Sequence, residues 1–96
     1  MNRILVVDDD PHIRQVVQFA LDKEGFSTVE ARDGAEALER FAVEKPDLIV
    51  LDITMPELDG TEVCRRIRQT DKTPIIFLSS RDDEIDRVLG LELGGD

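Results

Sequence analysis

Apolar residues are distributed along this chain in two alternating ways: short unbroken runs, and longer stretches in which they recur every three or four positions. Unbroken runs suit strands covered on both faces, and helical recurrence suits helices that turn one stripe inward. The first run, Ile4-Leu5-Val6-Val7, predicts a strand over about residues 3 to 7. Asp10-Pro11 then supplies an N-cap and a first helical position. The helix runs from Pro11 to about Glu24, with Ile13, Val16, Val17, Ala20 and Leu21 as its stripe, and Gly25 stops it.

A weaker strand is predicted from about Ser27 to Ala31. Asp33-Gly34 turns into a second helix carrying Ala37, Leu38, Phe41 and Ala42, and Pro46 ends that unit. Leu48-Ile49-Val50-Leu51 is apolar at every position, as a central strand should be. The remaining pattern is a loop from Met55 to Gly60, a helix from Thr61 to about Gln69, a strand from Pro74 to Leu78 and a last helix from about Asp83 to Leu93. Such β-α alternation predicts an α/β fold, a doubly wound parallel sheet with helices on both faces. No repeat or linker-like tract divides the sequence, so residues 1–96 are expected to form a single domain.

Two of the strands end in acids. Ile4-Leu5-Val6-Val7 runs into Asp8-Asp9, and Leu48-Ile49-Val50-Leu51 runs into Asp52. In an open parallel sheet the carboxyl ends of the strands form the ligand-binding edge, so Asp8, Asp9, Asp52 and Ser79 are expected at one rim. Carboxylates a few Å apart repel by about 4 kcal/mol per pair at 4 Å with an effective dielectric near 20, so the arrangement calls for a cation. Mg²⁺, held by one or two carboxylates and phosphate oxygens, suits Asp9 and Asp52.

Some of the acids and hydroxyls at this rim also have a plainer explanation. Asp10, preceding Pro11, reads as a helix cap. Asp52 cannot be one, because the next helix starts about eight residues later; it is the better candidate for a nucleophile on phosphorus. Ser79 could donate to a phosphoryl oxygen or simply end its strand, and periodicity does not choose between Ser79 and Ser80. His12, the sole histidine, lies in the first turn of a helix and reads as an exposed polar residue.

Charge and composition narrow the field further. With 22 acidic and 12 basic residues the formal net charge is -10, which disfavours a nucleic-acid surface in this segment. The single cysteine, Cys64, reads as a helix side chain, and a reducing cytoplasm fits. The N-terminal apolar run is too short for a signal peptide or a membrane span. Neither GxGxxG nor GxxxxGK[ST] occurs, so nucleotide binding has no support.

Ile4-Leu5-Val6-Val7-Asp8-Asp9-Asp10, Leu51-Asp52-Ile53-Thr54-Met55-Pro56-Glu57-Leu58-Asp59-Gly60 and Pro74-Ile75-Ile76-Phe77-Leu78-Ser79, in this order, resemble the receiver domain of two-component response regulators. The resemblance runs from Arg3 to Asp96. It implies a flavodoxin-like fold with strand order 2-1-3-4, and a signalling switch in which Asp52 accepts a phosphoryl group from a sensor histidine kinase. It also implies that Asp9, Asp52 and the Thr54 backbone carbonyl bind Mg²⁺, that Asp8 helps through water, and that Ser79 is the switch hydroxyl. Pro56 and Gly60 would shape the loop after the acceptor.

In the family a fifth parallel strand, bearing a lysine before a proline, and a fifth helix follow the Gly-Gly-Asp that here ends the sequence. Both are expected to be absent from this chain, and Lys72 is not at the matching position. That leaves Pro74 to Leu78 as an open apolar edge, to be covered in a longer protein or by a second copy in a homodimer or strand-exchanged dimer. The Gly90-Leu91-Glu92-Leu93-Gly94-Gly95-Asp96 ending resembles the winged-helix DNA-binding subclass, in which DNA is met only through an output domain outside this segment. No turnover beyond phosphorylation and dephosphorylation of Asp52 is implied. Two other classes stay open: an interaction module or inactive fragment that is not phosphorylated, and a Mg²⁺-dependent phosphohydrolase, against which Asp52-Ile53-Thr54 lacks Asp-x-Asp.

Overall fold

The computed structural model describes residues 2–53, 55, 58–78 and 90–92. In chain order its elements are β1 (Arg3–Val7), α1 (Pro11–Lys23), β2 (Ser27–Ala31), α2 (Gly34–Glu44), β3 (Leu48–Asp52), α3 (Gly60–Arg68), β4 (Ile75–Leu78) and β5 (Gly90–Glu92). They form one sheet in the order β2-β1-β3-β4-β5, with the first four strands parallel. The 2-1-3-4 order expected from the sequence is therefore present. Val7 lies opposite both Ala31 and Leu51, and Asp52 lies opposite Leu78, so the strands end together along one edge.

Alternation along the strands explains why their apolar runs are unbroken. Leu5, Val7, Ile49 and Leu51 belong to one core cluster with Ala37 of α2 and Val63 and Ile67 of α3. Ile4, Val6 and Val50 form a second cluster, covered by Val17 and Leu21 of α1 and by Phe26. With α1 on one face and α2 and α3 on the other, every residue of β1 and β3 after the first is buried. Fully burying a Val, Leu or Ile side chain of β1 or β3 contributes about 1.5–3 kcal/mol.

The helix boundaries follow from their caps. The Asp10, Asp33 and Asp59 side chains accept from the N–H groups of His12, Glu36 and Glu62 at the starts of α1, α2 and α3. Beyond α1, Gly25 adopts φ +92°, the left-handed conformation that lets the chain turn back toward β2. The α1 stripe is narrower than its spacing predicts: Val17 and Leu21 pack, whereas Val16 is 54% exposed and Ala20 is also exposed. The face that α1 covers has only three buried residues, so one i, i+4 seam suffices. In α2, Ala37 is buried and Leu38 and Phe41 pack against the core, but Ala42 is exposed.

The far edge of the sheet departs from expectation. Residues 90–92, predicted to lie in a helix from Asp83 to Leu93, form β5, which runs antiparallel to β4 with Ile75 opposite Glu92, Ile76 opposite Leu91 and Phe77 opposite Gly90. The rest of that predicted helix lies outside the described residues. A strand edge with open N–H and C=O groups is a strong template for pairing, and Gly90 costs about 1 kcal/mol inside a helix. The edge predicted to stay open is thus paired within the chain over three positions.

Candidate functional site

Because β1 and β3 are adjacent while β2 lies beyond β1, the chain reverses its winding direction between them. A crevice opens at such a reversal, outside the carboxyl ends of the two strands. The sequence puts its acids there. One carboxylate oxygen each from Asp8, Asp9 and Asp52 lie within 4.8 Å of one another. Asp52 is the last residue of β3 and 1% exposed, Asp8 follows β1 directly and is 2% exposed, and Asp9 is exposed.

The backbone holds this group tightly. The Asp8 N–H donates to the Ala31 carbonyl (3.2 Å), extending the β1–β2 ladder by one residue, and the Ile53 N–H donates to the Leu78 carbonyl (3.2 Å). The Gly60 N–H returns to the Ile53 carbonyl at 2.9 Å. A Cβ on Gly60 would collide with the Asp52 carbonyl oxygen and lie 2.9 Å from the Ile53 Cα, so the close return of the loop requires glycine.

The electrostatics of the group are unfavourable in the absence of a counter-charge. Burial pushes the Asp8 carboxyl above its ordinary range, the Asp10 N–H bonded to Oδ1 at 2.9 Å acts against this, and the neighbouring Asp9 and Asp10 charges push it up further. At 4.8 Å and an effective dielectric near 20, two ionised carboxylates repel by about 3 kcal/mol. Three oxygen donors, two of them on buried carboxylates, are the ligand chemistry of a small hard cation. On donor type, spacing and charge the site fits a divalent metal.

Asp10 is a cap, as the sequence suggests, with Oδ1 accepting from the His12 N–H at 2.9 Å, and His12 is exposed. Cys64 is buried in the core on α3. Thr54, Pro56, Ser79 and Ser80 lie outside the described residues. One residue was missed by sequence reasoning: Arg14, whose Nη1 donates to the Asp8 carbonyl at 2.7 Å and whose Nε donates to Glu30 Oε1 at 2.7 Å. A basic residue one turn beyond a helix cap that follows two acids is the only sequence signal for it.

The family model of the response regulator receiver domain matches residues 4–96. The alkaline phosphatase synthesis transcriptional regulatory protein PhoP of Bacillus subtilis is 50% identical over 95 residues, covering 98% of this chain. The chain spans only 40% of PhoP's length. Among solved structures, the response regulator TrrA of Thermotoga maritima, crystallised with Mg²⁺-BeF, superposes with a TM-score of 0.81 at 41% identity, over 88% of this chain and 74% of that one. TrrA in complex with the histidine kinase ThkA gives a TM-score of 0.78 at 43% identity, over 83% of this chain and 70% of that one. Among the described residues no helix is long and apolar enough to cross a membrane. With a flavodoxin-like sheet carrying its acids at the winding reversal, and a match over nearly the whole sequence, this chain belongs to the receiver domains of response regulators.

Proposed function

We propose that the chain is a phosphorylation-activated switch in which Asp52 is the phosphoacceptor. The observation that carries this reading is the Asp52 carboxylate, buried at the end of β3 yet grouped with Asp8 and Asp9 at the sheet's winding reversal. A buried acid beside two others is unfavourable as structure and useful as chemistry. In the proposed step an Asp52 carboxylate oxygen attacks phosphorus, the P–N bond of a kinase phosphohistidine breaks with its electron pair going to the imidazole, and an acyl phosphate results.

Mg²⁺ is the proposed cofactor, with Asp9, Asp52 and the Thr54 backbone carbonyl as ligands and Asp8 acting through water; when bound it neutralises phosphoryl and carboxylate charge. Ser79 is proposed as the hydroxyl that answers the new charge of about -1.5 to -2 on Asp52. The likeness to TrrA, crystallised with Mg²⁺-BeF and with a histidine kinase, supports the cation and the partner. The likeness to PhoP supports a transcriptional output, reached in the cytoplasm through DNA-binding residues of a longer protein.

Incubation with Mg²⁺ and a small acyl phosphate, followed by intact mass spectrometry, tests the reading. The chain should gain one phosphoryl group, and Asp52→Asn should gain none. Continuous multiple turnover of the donor would favour a phosphohydrolase. No gain in the unmodified chain would favour an interaction module.

A further inference from the structure

Arg14 is the residue that ties the acid group to the rest of the domain. Its side chain, only 14% exposed, reaches back from the second turn of α1 past the cap to the end of β1. Nη1 donates to the Asp8 carbonyl at 2.7 Å, and Nε is held by Glu30 of β2 at 2.7 Å. Glu30 sits opposite Val6 in the β1–β2 register, so the guanidinium bridges a helix and two strands. The Asp8 carbonyl belongs to the same rigid peptide unit as the Asp9 N–H, because the peptide group is planar. Gripping that oxygen fixes the plane about which the Asp8 and Asp9 side chains are set.

We propose that Arg14 is a positioning residue for the cation site, orienting the peptide unit that joins Asp8 to Asp9 while Glu30 orients Arg14. This rests on the cation reading given above. Three contacts then define Asp8: its N–H is fixed by Ala31, its Oδ1 by the Asp10 N–H and its carbonyl by Arg14. Arginine suits the role because its planar fork can meet a carbonyl and a carboxylate together, which a lysine ammonium on a flexible stem does poorly.

The sign of the effect separates positioning from simple charge. If Arg14 acted only as a nearby positive charge, removing it would tighten binding of a divalent cation. If it orients the acids, removing it weakens binding. Mg²⁺ titration by calorimetry should be run on the unmodified chain, Arg14→Lys and Arg14→Ala, at a temperature where circular dichroism shows all three folded. Both variants should bind about tenfold more weakly or worse, the range typical of groups that orient metal ligands. The Asp9 amide nitrogen resonance, which reports on the hydrogen bond to the Asp8 carbonyl, should move in both. Arg14→Lys keeps charge and bulk, so it carries the test if Arg14→Ala unfolds. Unchanged or tighter binding in the folded variants would overturn the proposal, even if melting temperatures fall. An unmodified chain that takes up no Mg²⁺ would overturn the cation reading itself, and this inference with it.

Discussion

Asp8→Asn should make the metal-free protein more stable, although it alters a buried residue beside the proposed acceptor. The substitution removes one charge from the group but keeps the Oδ1 acceptor that holds the Asp10 N–H at 2.9 Å. At the 4.8 Å limit of the group, the repulsion between buried Asp8 and Asp52 is about 3 kcal/mol at an effective dielectric near 20. Asp9 is exposed, so its share is screened to about 1 kcal/mol or less. Against this, turning a carboxylate oxygen into a buried amide nitrogen costs at most about 1–3 kcal/mol, the cost of a donor that finds no partner. The net gain is about 2 kcal/mol, or about 10 °C in melting temperature for a domain of this size. Far-UV circular dichroism is the assay, since the chain has no Trp or Tyr to report by fluorescence. In EDTA the variant should melt above the unmodified protein. With Mg²⁺ a hundredfold above its dissociation constant, the unmodified protein should gain about 2.7 kcal/mol and the variant less, narrowing or reversing the order. A variant that melts lower in EDTA, or that gains as much from Mg²⁺, would refute the reasoning.

Gly60→Ala should lower stability by about 1–3 kcal/mol through overpacking against the Asp52 carbonyl, and should slow phosphoryl uptake from a small donor; a normal uptake rate would show that the loop yields without moving Asp52. Glu62, bonded first to Arg65 and then to Arg66, has its carboxyl lowered from 4.5 to about 2. A folded-state value below the unfolded one stabilises above pH 4.5 and loses that contribution as pH falls toward 2, so the stability difference between the unmodified chain and Glu62→Gln in urea unfolding should shrink over that window; a difference that stays constant would contradict the assignment.

What the sequence made legible, and what it hid, divides along the range of the interactions. Asp8, Asp9 and Asp52 could be found because each follows an apolar run, and a run buried on both faces can end in a charge only where its strand leaves the core. Asp10 could be separated from them because capping is local, settled by the N–H of His12 two residues away. Arg14 could not be assigned, because its role needs Glu30 on another strand, sixteen residues on, to arrive beside it. The same holds for β5: its three residues carry no strong strand signal, and the pairing they make is with the edge of β4, a strand more than ten residues earlier. The exposure of Val16 has the same origin, since helical spacing names a stripe but the width of the covered face decides how much of it is buried. The consequence for the site is specific. The acids that would do chemistry are encoded locally, by a strand and its end, whereas the positioning proposed for Asp8 and Asp9 depends on contacts of Arg14 that join α1, β2 and the end of β1. Substitutions at Arg14 or Glu30 should therefore change how Asp8 and Asp9 are oriented toward Asp52 while leaving β1 and β3 themselves in register.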